Sequence, residues 1–233
     1  YNFREIRDEL ESFGYEFSSD SDTEVVAKAF DMWGVDSLSR FNGMFAIAIF
    51  DSNKKKIFLI RDRAGIKPLY VFLRNGFLSF ASEIKAFSVL PNFDRTISAE
   101  ALKLFLRYGY IPQPHSIFKS VEKVPPGSVL TFDIMSAQMK AQTYWKIPCG
   151  ASDEMSTISK DDAINKLDSL LESACNYRMI SDVPVGIFLS GGYDSSLVTA
   201  MVQKGRSLPV KTFTVGFDDK QYDESDAAAR VAD

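Results

Sequence analysis

The sequence predicts two blocks of different class. The first is α+β, with antiparallel strands and helices packed on them. The second is the start of an α/β block built on a parallel sheet. Three observations carry this reading. The first block sets apolar runs of strand length side by side across short polar turns, one of them Asn75-Gly76, the strongest short hairpin signal. The second block alternates helix, strand, helix, strand, the grammar of a βαβ unit. Between them lies "KIPCGASDEMS", polar and rich in small residues, as a boundary segment should be. The expected organisation is a first domain over 1–148, a linker over 149–158 and a second domain over 159–233.

Each element has its own signal. Phe3, Ile6, Leu10 and Phe13 recur at helical spacing, and Gly14 follows as a stop. The next helix begins near Ser21, where "SDTE" has the form of a capping box with Glu24 three residues after the cap. Val25, Val26, Ala29, Phe30 and Trp33 form its apolar stripe, and Gly34 ends it. "MFAIAIFD" and "KIFLIRD" read as strands joined by "SNKKK", with Lys54 to Lys56 a solvated turn. "PLYVFLR" and "FLSFAS" follow as a hairpin. "SAEALKLFLRYG" reads as a helix capped by Ser98 and stopped by Gly109. "YIPQPHSIF" is irregular, and "VPPGSVLTFD" is a turn entering a strand.

In the second block a helix is expected from about Ser159 to Met179, with Ile164, Leu167, Leu171, Ala174 and Cys175 on one face. That placement makes Cys175 a core residue. "VPVGIFLS" is apolar without alternation, as a strand buried on both faces requires. "SSLVTAMVQK" reads as a helix ending at Gly205, and "PVKTFTVGF" as the next strand.

Composition narrows function by exclusion. With 233 residues, 45% hydrophobic and 25% charged, and 19 phenylalanines, a well-packed globular protein is expected. A net charge of -4 argues against a nucleic-acid or anionic-membrane partner. No apolar run approaches bilayer length, and no signal-peptide pattern opens the chain. Cys149 and Cys175 have no metal-ligand spacing and make no disulfide framework, so a reducing cytoplasm is expected. His115, in a Pro-rich loop, reads as solvated and gives no support to a Ser-His-Asp or Cys-His site. The chain begins with Tyr, directly on a helical pattern, which suggests a piece of a longer or processed protein.

"SGGYDSS" joins the expected buried strand to a helix, the place where α/β sheets bind ligands. Gly191 and Gly192 can take backbone angles other residues avoid, letting successive N–H groups form an anion nest. The helix N-terminus adds further N–H groups. Ser190, Ser195 and Ser196 supply hydroxyls, and Asp194 suits a Mg²⁺ that bridges phosphate oxygens. A tight turn followed by an N-cap accounts for the same residues, and loop chemistry alone leaves both readings open.

Ser-Gly-Gly-x-Asp-Ser after such a strand resembles the pyrophosphate-binding loop of the ATP pyrophosphatase family, which cleaves ATP between the α and β phosphates to adenylate an oxygen. "SDVPVGIFLSGGYDSSLV" and "FTVGFDDKQYDES" resemble, within it, the glutamine-hydrolysing asparagine synthetases. The resemblance implies that Ser190, Gly191, Gly192, Asp194, Ser195 and Ser196 hold the pyrophosphate of ATP and its Mg²⁺. It implies that Leu189 and Val215 line the adenosine pocket. Tyr193 stands where the family usually has leucine, at the motif's variable position.

The first block supports the same family. "RFNGMFAIAIFD", "RDRAGIKPLY" and "ASEIKAF" resemble, in order and spacing, the glutaminase domain of class II amidotransferases, and "VEKVPPGS" and "YW" the segment leading to the synthetase domain. The resemblance implies an N-terminal-nucleophile fold, in which an N-terminal Cys attacks the glutamine amide with its own α-amino group as base. It places that Cys, the glutamine-carboxylate Arg and the oxyanion donors upstream of Tyr1-Asn2, and the rest of the synthetase sheet beyond Asp233. Asp22 alone matches a glutamine-binding residue, pairing with the substrate α-amino group; it can equally decorate a helix start. Arg61 and Asp62, and Glu83 and Lys85, read as structural pairs.

The implied function is ATP-dependent conversion of aspartate to asparagine through aspartyl-AMP, with glutamine as ammonia source and AMP and pyrophosphate as products. The implied partners are small molecules (glutamine, ATP, aspartate), with no nucleic acid and no membrane, and a homodimer is compatible with the resemblance. Two alternatives stay open: amidation of another carboxylate, such as a sugar acid, a peptide or a β-lactam precursor, and a non-catalytic scaffold that has lost the nucleophile.

Overall fold

The apolar runs of the first block pair as two antiparallel sheets in a computed structural model that describes residues 1–91, 93–149 and 157–233. The chain divides into two units, one comprising Asn2–Pro148 and the other Tyr1 with Cys149–Asp233. The expected linker lies for the most part outside the described residues.

The first unit runs through α1 (Phe3–Ser12), α2 (Asp22–Trp33), β1 (Ala46–Asp51), β2 (Lys56–Arg61), β3 (Tyr70–Arg74), β4 (Phe77–Ala81), α3 (Ala99–Tyr108), β5 (Val121–Lys123), β6 (Ser128–Asp133) and β7 (Gln138–Thr143). One sheet has the order β1-β2-β6-β7 and the other β4-β3-β5. Strand β2 decides how they stack. Successive side chains of a strand point to opposite faces. Phe58 and Ile60 join Ile6, Leu10, Val25, Ala29 and Phe30 in one buried cluster, which sets α1 and α2 on that face. Leu59 joins Leu69, Val71, Val124 and Leu130 in a second, which sets the other sheet on the opposite face. Each Val, Leu, Ile or Phe among them, fully buried, contributes roughly 1.5–3 kcal/mol. Phe72, Phe87 and Val121 close the far side of the second sheet, with a 3-10 turn over Ile84–Val89.

Local chemistry ends these elements where expected. Ser98 accepts from the Ala101 N–H at 3.2 Å, and Gly109 follows α3 in the left-handed region at φ 76°. Asn75 and Gly76 take φ 51° and 77° between β3 and β4, as a type I′ turn demands. Strands β5 and β7 escape the sequence pattern. One has three residues, and the other, "QMKAQT", is mostly exposed. His115 is half-buried, contrary to the solvated reading. Glu83 and Lys85 form an ion pair with both side chains exposed, a kind worth little.

Arg61-Asp62, at the end of β2, is structural as expected. Asp62, 1% exposed, accepts from the N–H groups of Phe45 (3.2 Å), Ile66 (2.9 Å) and Lys67 (2.9 Å). Arg61 donates to the carbonyls of Gly65 (2.7 Å), Lys67 (2.9 Å) and Val124 (2.7 Å), and to Gln113 Oε1 (3.2 Å). The Tyr144 hydroxyl donates to the Arg61 carbonyl at 2.8 Å. Its phenol is pushed up to about 12 by burial, with the Asp62 charge adding to the rise.

The second unit contains α4 (Lys160–Arg178), β8 (Gly186–Phe188), α5 (Tyr193–Gln203), β9 (Lys211–Phe213) and α6 (Ser225–Ala232). Ser159 caps α4 by accepting from the Asp162 N–H at 3.1 Å. Lys204, at the end of α5, bridges to Asp168 (3.0 Å) and Glu172 (2.8 Å) on α4. Strands β8 and β9 pair in parallel, Gly186 opposite Lys211 and Phe188 opposite Phe213. Two expectations fail here. β8 is not buried on both faces: Phe188 is 78% exposed, because among the described residues β8 pairs along one edge with one strand and gains cover on one face. Cys175 is buried as expected, but Ile164 and Leu167 of the same stripe are more than half exposed.

Asp62→Ala leaves three part-buried N–H groups without their acceptor. It should cost on the order of 3 kcal/mol, read as a lower urea midpoint for the first unit.

Candidate functional site

The loop after β8 is organised by its own serines. Ser190 Oγ and Ser195 Oγ lie 2.9 Å apart, and the Ser190 N–H donates to Ser195 Oγ at 3.2 Å. Ser195 Oγ also reaches the Gly192 carbonyl at 3.2 Å, and the Gly192 N–H points at Ser190 Oγ at 3.4 Å. The strand ends are tied above it: Leu189 N–H to the Phe213 carbonyl at 2.9 Å, and Thr214 Oγ1 to the Leu189 carbonyl at 2.8 Å. Sequence reasoning missed Thr214. The hydroxyl residue at the end of the second strand was the available signal.

Gly191 and Gly192 are not equivalent. Gly191 takes φ +77°, whereas Gly192 sits at an ordinary φ of -72° as the N-cap of α5. A Cβ on Gly191 would lie 2.7 Å from Ala227 and 2.8 Å from the Ala228 N atom. The glycine therefore serves the packing of α6 as well as the turn, which the sequence did not reveal.

No side chain caps α5, whose first intrahelical bond is Ser196 N–H to the Gly192 carbonyl at 3.0 Å. The N–H groups of Tyr193, Asp194 and Ser195 thus have no helical partner. Ser196 Oγ is buried and without a hydrogen-bond partner. Asp194 is exposed in the first turn, where the positive helix end favours a carboxylate. Orphan donors, hydroxyls and one exposed carboxylate are a donor set that fits a polyphosphate with a divalent cation. No group of three or more His, Cys, Asp or Glu that could hold a metal occurs among the described residues. A Mg²⁺ at Asp194 would take most of its shell from phosphate and water. The two adenosine-pocket candidates differ: Leu189 is 2% exposed and Val215 61%. Leu189 is thus a packed residue.

Asp22, in the first unit, is the first residue of α2 and is exposed. Ser21 caps the helix by accepting from the Thr23 N–H at 3.2 Å. The reciprocal half of the capping box does not form, because Glu24 reaches the preceding loop instead. Its carboxylate accepts from the Ser19 hydroxyl (2.6 Å) and from the N–H groups of Ser18 (3.0 Å) and Ser19 (2.8 Å). Arg7 fixes the same loop from α1, donating to the Ser19 carbonyl at 2.9 Å. Those bonds, the Ser19 hydroxyl first, pull Glu24 down to about 2. The Asp22 carboxylate has only a long contact, 3.4 Å, with Thr23 Oγ1.

Two outcomes follow. The Glu24 contacts should be complete above its ordinary value of 4.5 and lost as pH falls toward about 2. Protection of the Ser18 and Ser19 amides, their exchange measured against free peptide at the same pH, should fall across that window, and Glu24→Gln should lower it at neutral pH. Gly191→Ala adds both a strained φ and a clash. It should destabilise the second unit by roughly 2 kcal/mol, read as faster exchange in α6.

Residues 1–145 match the family model described as glutamine amidotransferase domain, and residues 166–233 that described as asparagine synthase. The chain is 36% identical over its full length to a protein from Methanocaldococcus jannaschii named putative asparagine synthetase [glutamine-hydrolyzing] 2, covering 44% of it. It is also 36% identical over its full length to asparagine synthetase [glutamine-hydrolyzing] 1 of Bacillus subtilis, covering 36% of that protein. A third relative, 32% identical over the whole chain, which covers 36% of it, is named amidase chyE in Penicillium rubens. The chain thus spans less than half the length of these relatives. It belongs to the glutamine amidotransferase domain family over its first 145 residues and matches asparagine synthase over residues 166–233.

Proposed function

We propose that this chain supplies the glutamine-binding side and the pyrophosphate loop of an ATP-dependent, glutamine-hydrolysing amide synthetase of the cytoplasm, whose substrate is aspartate and whose product is asparagine. The observation that carries the reading is the loop from Ser190 to Ser196: it leaves a parallel strand, keeps three helix N–H groups uncapped, and lies inside the asparagine synthase match. The first block brings a glutamine amidotransferase match to the same chain, so ammonia source and activation site come together.

Each residue then has a task. Asp22 offers its carboxylate to the α-amino group of glutamine, on a helix start fixed by Ser21 and on a loop fixed by Glu24. The serine hydroxyls and the N–H groups from Tyr193 to Ser195 receive the pyrophosphate oxygens that leave when the carboxylate is adenylated. Asp194 would hold a Mg²⁺, which would neutralise charge on those oxygens. Val215, exposed beyond β9, lies against the adenosine, with Leu189 packing beneath. The N-terminal-nucleophile and ATP pyrophosphatase classes are part of this proposal.

The test uses the protein that carries this chain. ATP–pyrophosphate exchange should require aspartate and disappear in Asp194→Ala, with glutamine hydrolysis retained. Asp22→Ala should raise KM for glutamine roughly 10- to 100-fold, the loss of one charge-assisted pair, and leave ammonia-dependent synthesis unchanged. One relative is named an amidase rather than an asparagine synthetase, so a second reading keeps another carboxylate as substrate. Exchange without aspartate dependence would select it.

A further inference from the structure

Two cations line a cavity of the first unit with no carboxylate among the lining residues. The cavity measures about 280 Å³, and its wall includes Arg61, Tyr70, Tyr110, Gln113 and Lys123. Its size sits at the lower edge of small-molecule pockets. Tyr70 on β3 and Lys123 on β5 are direct partners in the strand register, so their side chains share a face. Arg61 is committed to three carbonyls and Gln113. Lys123 is not: its ammonium donates to the Ile111 carbonyl at 2.5 Å and has three donors. Burial, and then the neighbouring Arg61 charge, hold the Lys123 amine below its ordinary value. The nearest carboxylate to Arg61, Asp62, is taken up by three backbone N–H groups. The cavity therefore presents two cations beside two phenol rings; the Asp62 charge acts on Arg61 from outside the lining, and among the described residues no carboxylate bonds Lys123.

We propose that this cavity binds a small organic carboxylate, with the carboxylate on Lys123 Nζ and the apolar body against Tyr70 and Tyr110. An anion there completes the donors of Lys123 and offsets like charges on one wall. The 280 Å³ volume admits a molecule of the size of an amino acid or an aromatic acid. The proposal is independent of the glutamine and ATP readings, because Asp22 and the loop of the second unit take no part in it.

Titration of the protein that carries this chain with benzoate, followed by calorimetry and by amide NMR shifts at Tyr70 and Lys123, tests it. Saturable binding with a Kd of roughly 1 mM is expected, with benzamide, the neutral analogue, at least about tenfold weaker. Lys123→Met should abolish benzoate binding while keeping the apolar stem. Tyr110 is 62% exposed, so Tyr110→Ala keeps the core and should weaken benzoate about fivefold, which preserves the test if the lysine variant misfolds. Equal binding of benzoate and benzamide, or no saturable binding, overturns the proposal. Inorganic phosphate binding as tightly as benzoate overturns the organic-carboxylate assignment.

Discussion

Asp62 is the residue on which the first unit closes. Its carboxylate holds the chain before β1 through Phe45 and the turn after β2 through Ile66 and Lys67. Its backbone does as much: the N–H donates to Phe45, and the carbonyl accepts from Gly65 and Gly127. Arg61 ties the turn to Val124, before β6, and to Gln113 in the loop after α3. Tyr144, after β7, ends on the Arg61 carbonyl. Two adjacent residues thus fix both sheets at one point. A buried charge is expensive unless it is fully hydrogen-bonded. Here the carboxylate meets backbone donors and the guanidinium meets backbone acceptors. Each charge is satisfied by main chain that would otherwise be unsatisfied itself.

That pattern explains what could be read from sequence and what could not. Ser98, Ser159 and the pair Asn75-Gly76 act through neighbours within five residues, so their roles were visible in a short window. Arg61-Asp62 could be read as structural, but the partners at Val124 and Tyr144 come from beyond sixty residues away in chain. Strand β7 failed because an exposed edge strand needs no apolar alternation. The burial of β8 failed for the opposite reason. An apolar run reports what a strand is suited to lie between, and among the described residues β8 has one neighbouring strand. Glu24 was assigned to the right helix start but to the wrong donors, since Ser18 and Ser19 precede the cap.

The candidate loop shows the same mixture. Glycines beside a helix N-terminus suggest close approach of a ligand, and the uncapped N–H groups of α5 suit that role. Gly191, however, is required first by α6, whose Ala227 and Ala228 occupy the space of a Cβ. A phosphate loop and a packing contact therefore make the same demand at one position, and the sequence could show only the demand. The Ser190–Ser195 pair fixes the loop through its own hydroxyls, and in the proposed role donors held this way would leave less ordering cost for binding.

The carboxylates of the molecule divide by what surrounds them, and Asp22 and Asp194 are among those that face outward. Asp62 and Glu24 are consumed by backbone N–H groups and hydroxyls. Asp51 and Asp133 each close a turn in the same way. Asp22 and Asp194 differ. Both stand exposed in the first turn of a helix, α2 and α5. In both cases the capping position is held by another residue, Ser21 or Gly192. The helix end stabilises negative charge there without using it up in a local bond. A carboxylate so placed keeps its lone pairs for a cation from outside, as proposed for an ammonium at Asp22 and a metal ion at Asp194. The fold thus separates carboxylates that build the chain from carboxylates that can recognise a ligand, and both proposed binding roles fall on the second kind.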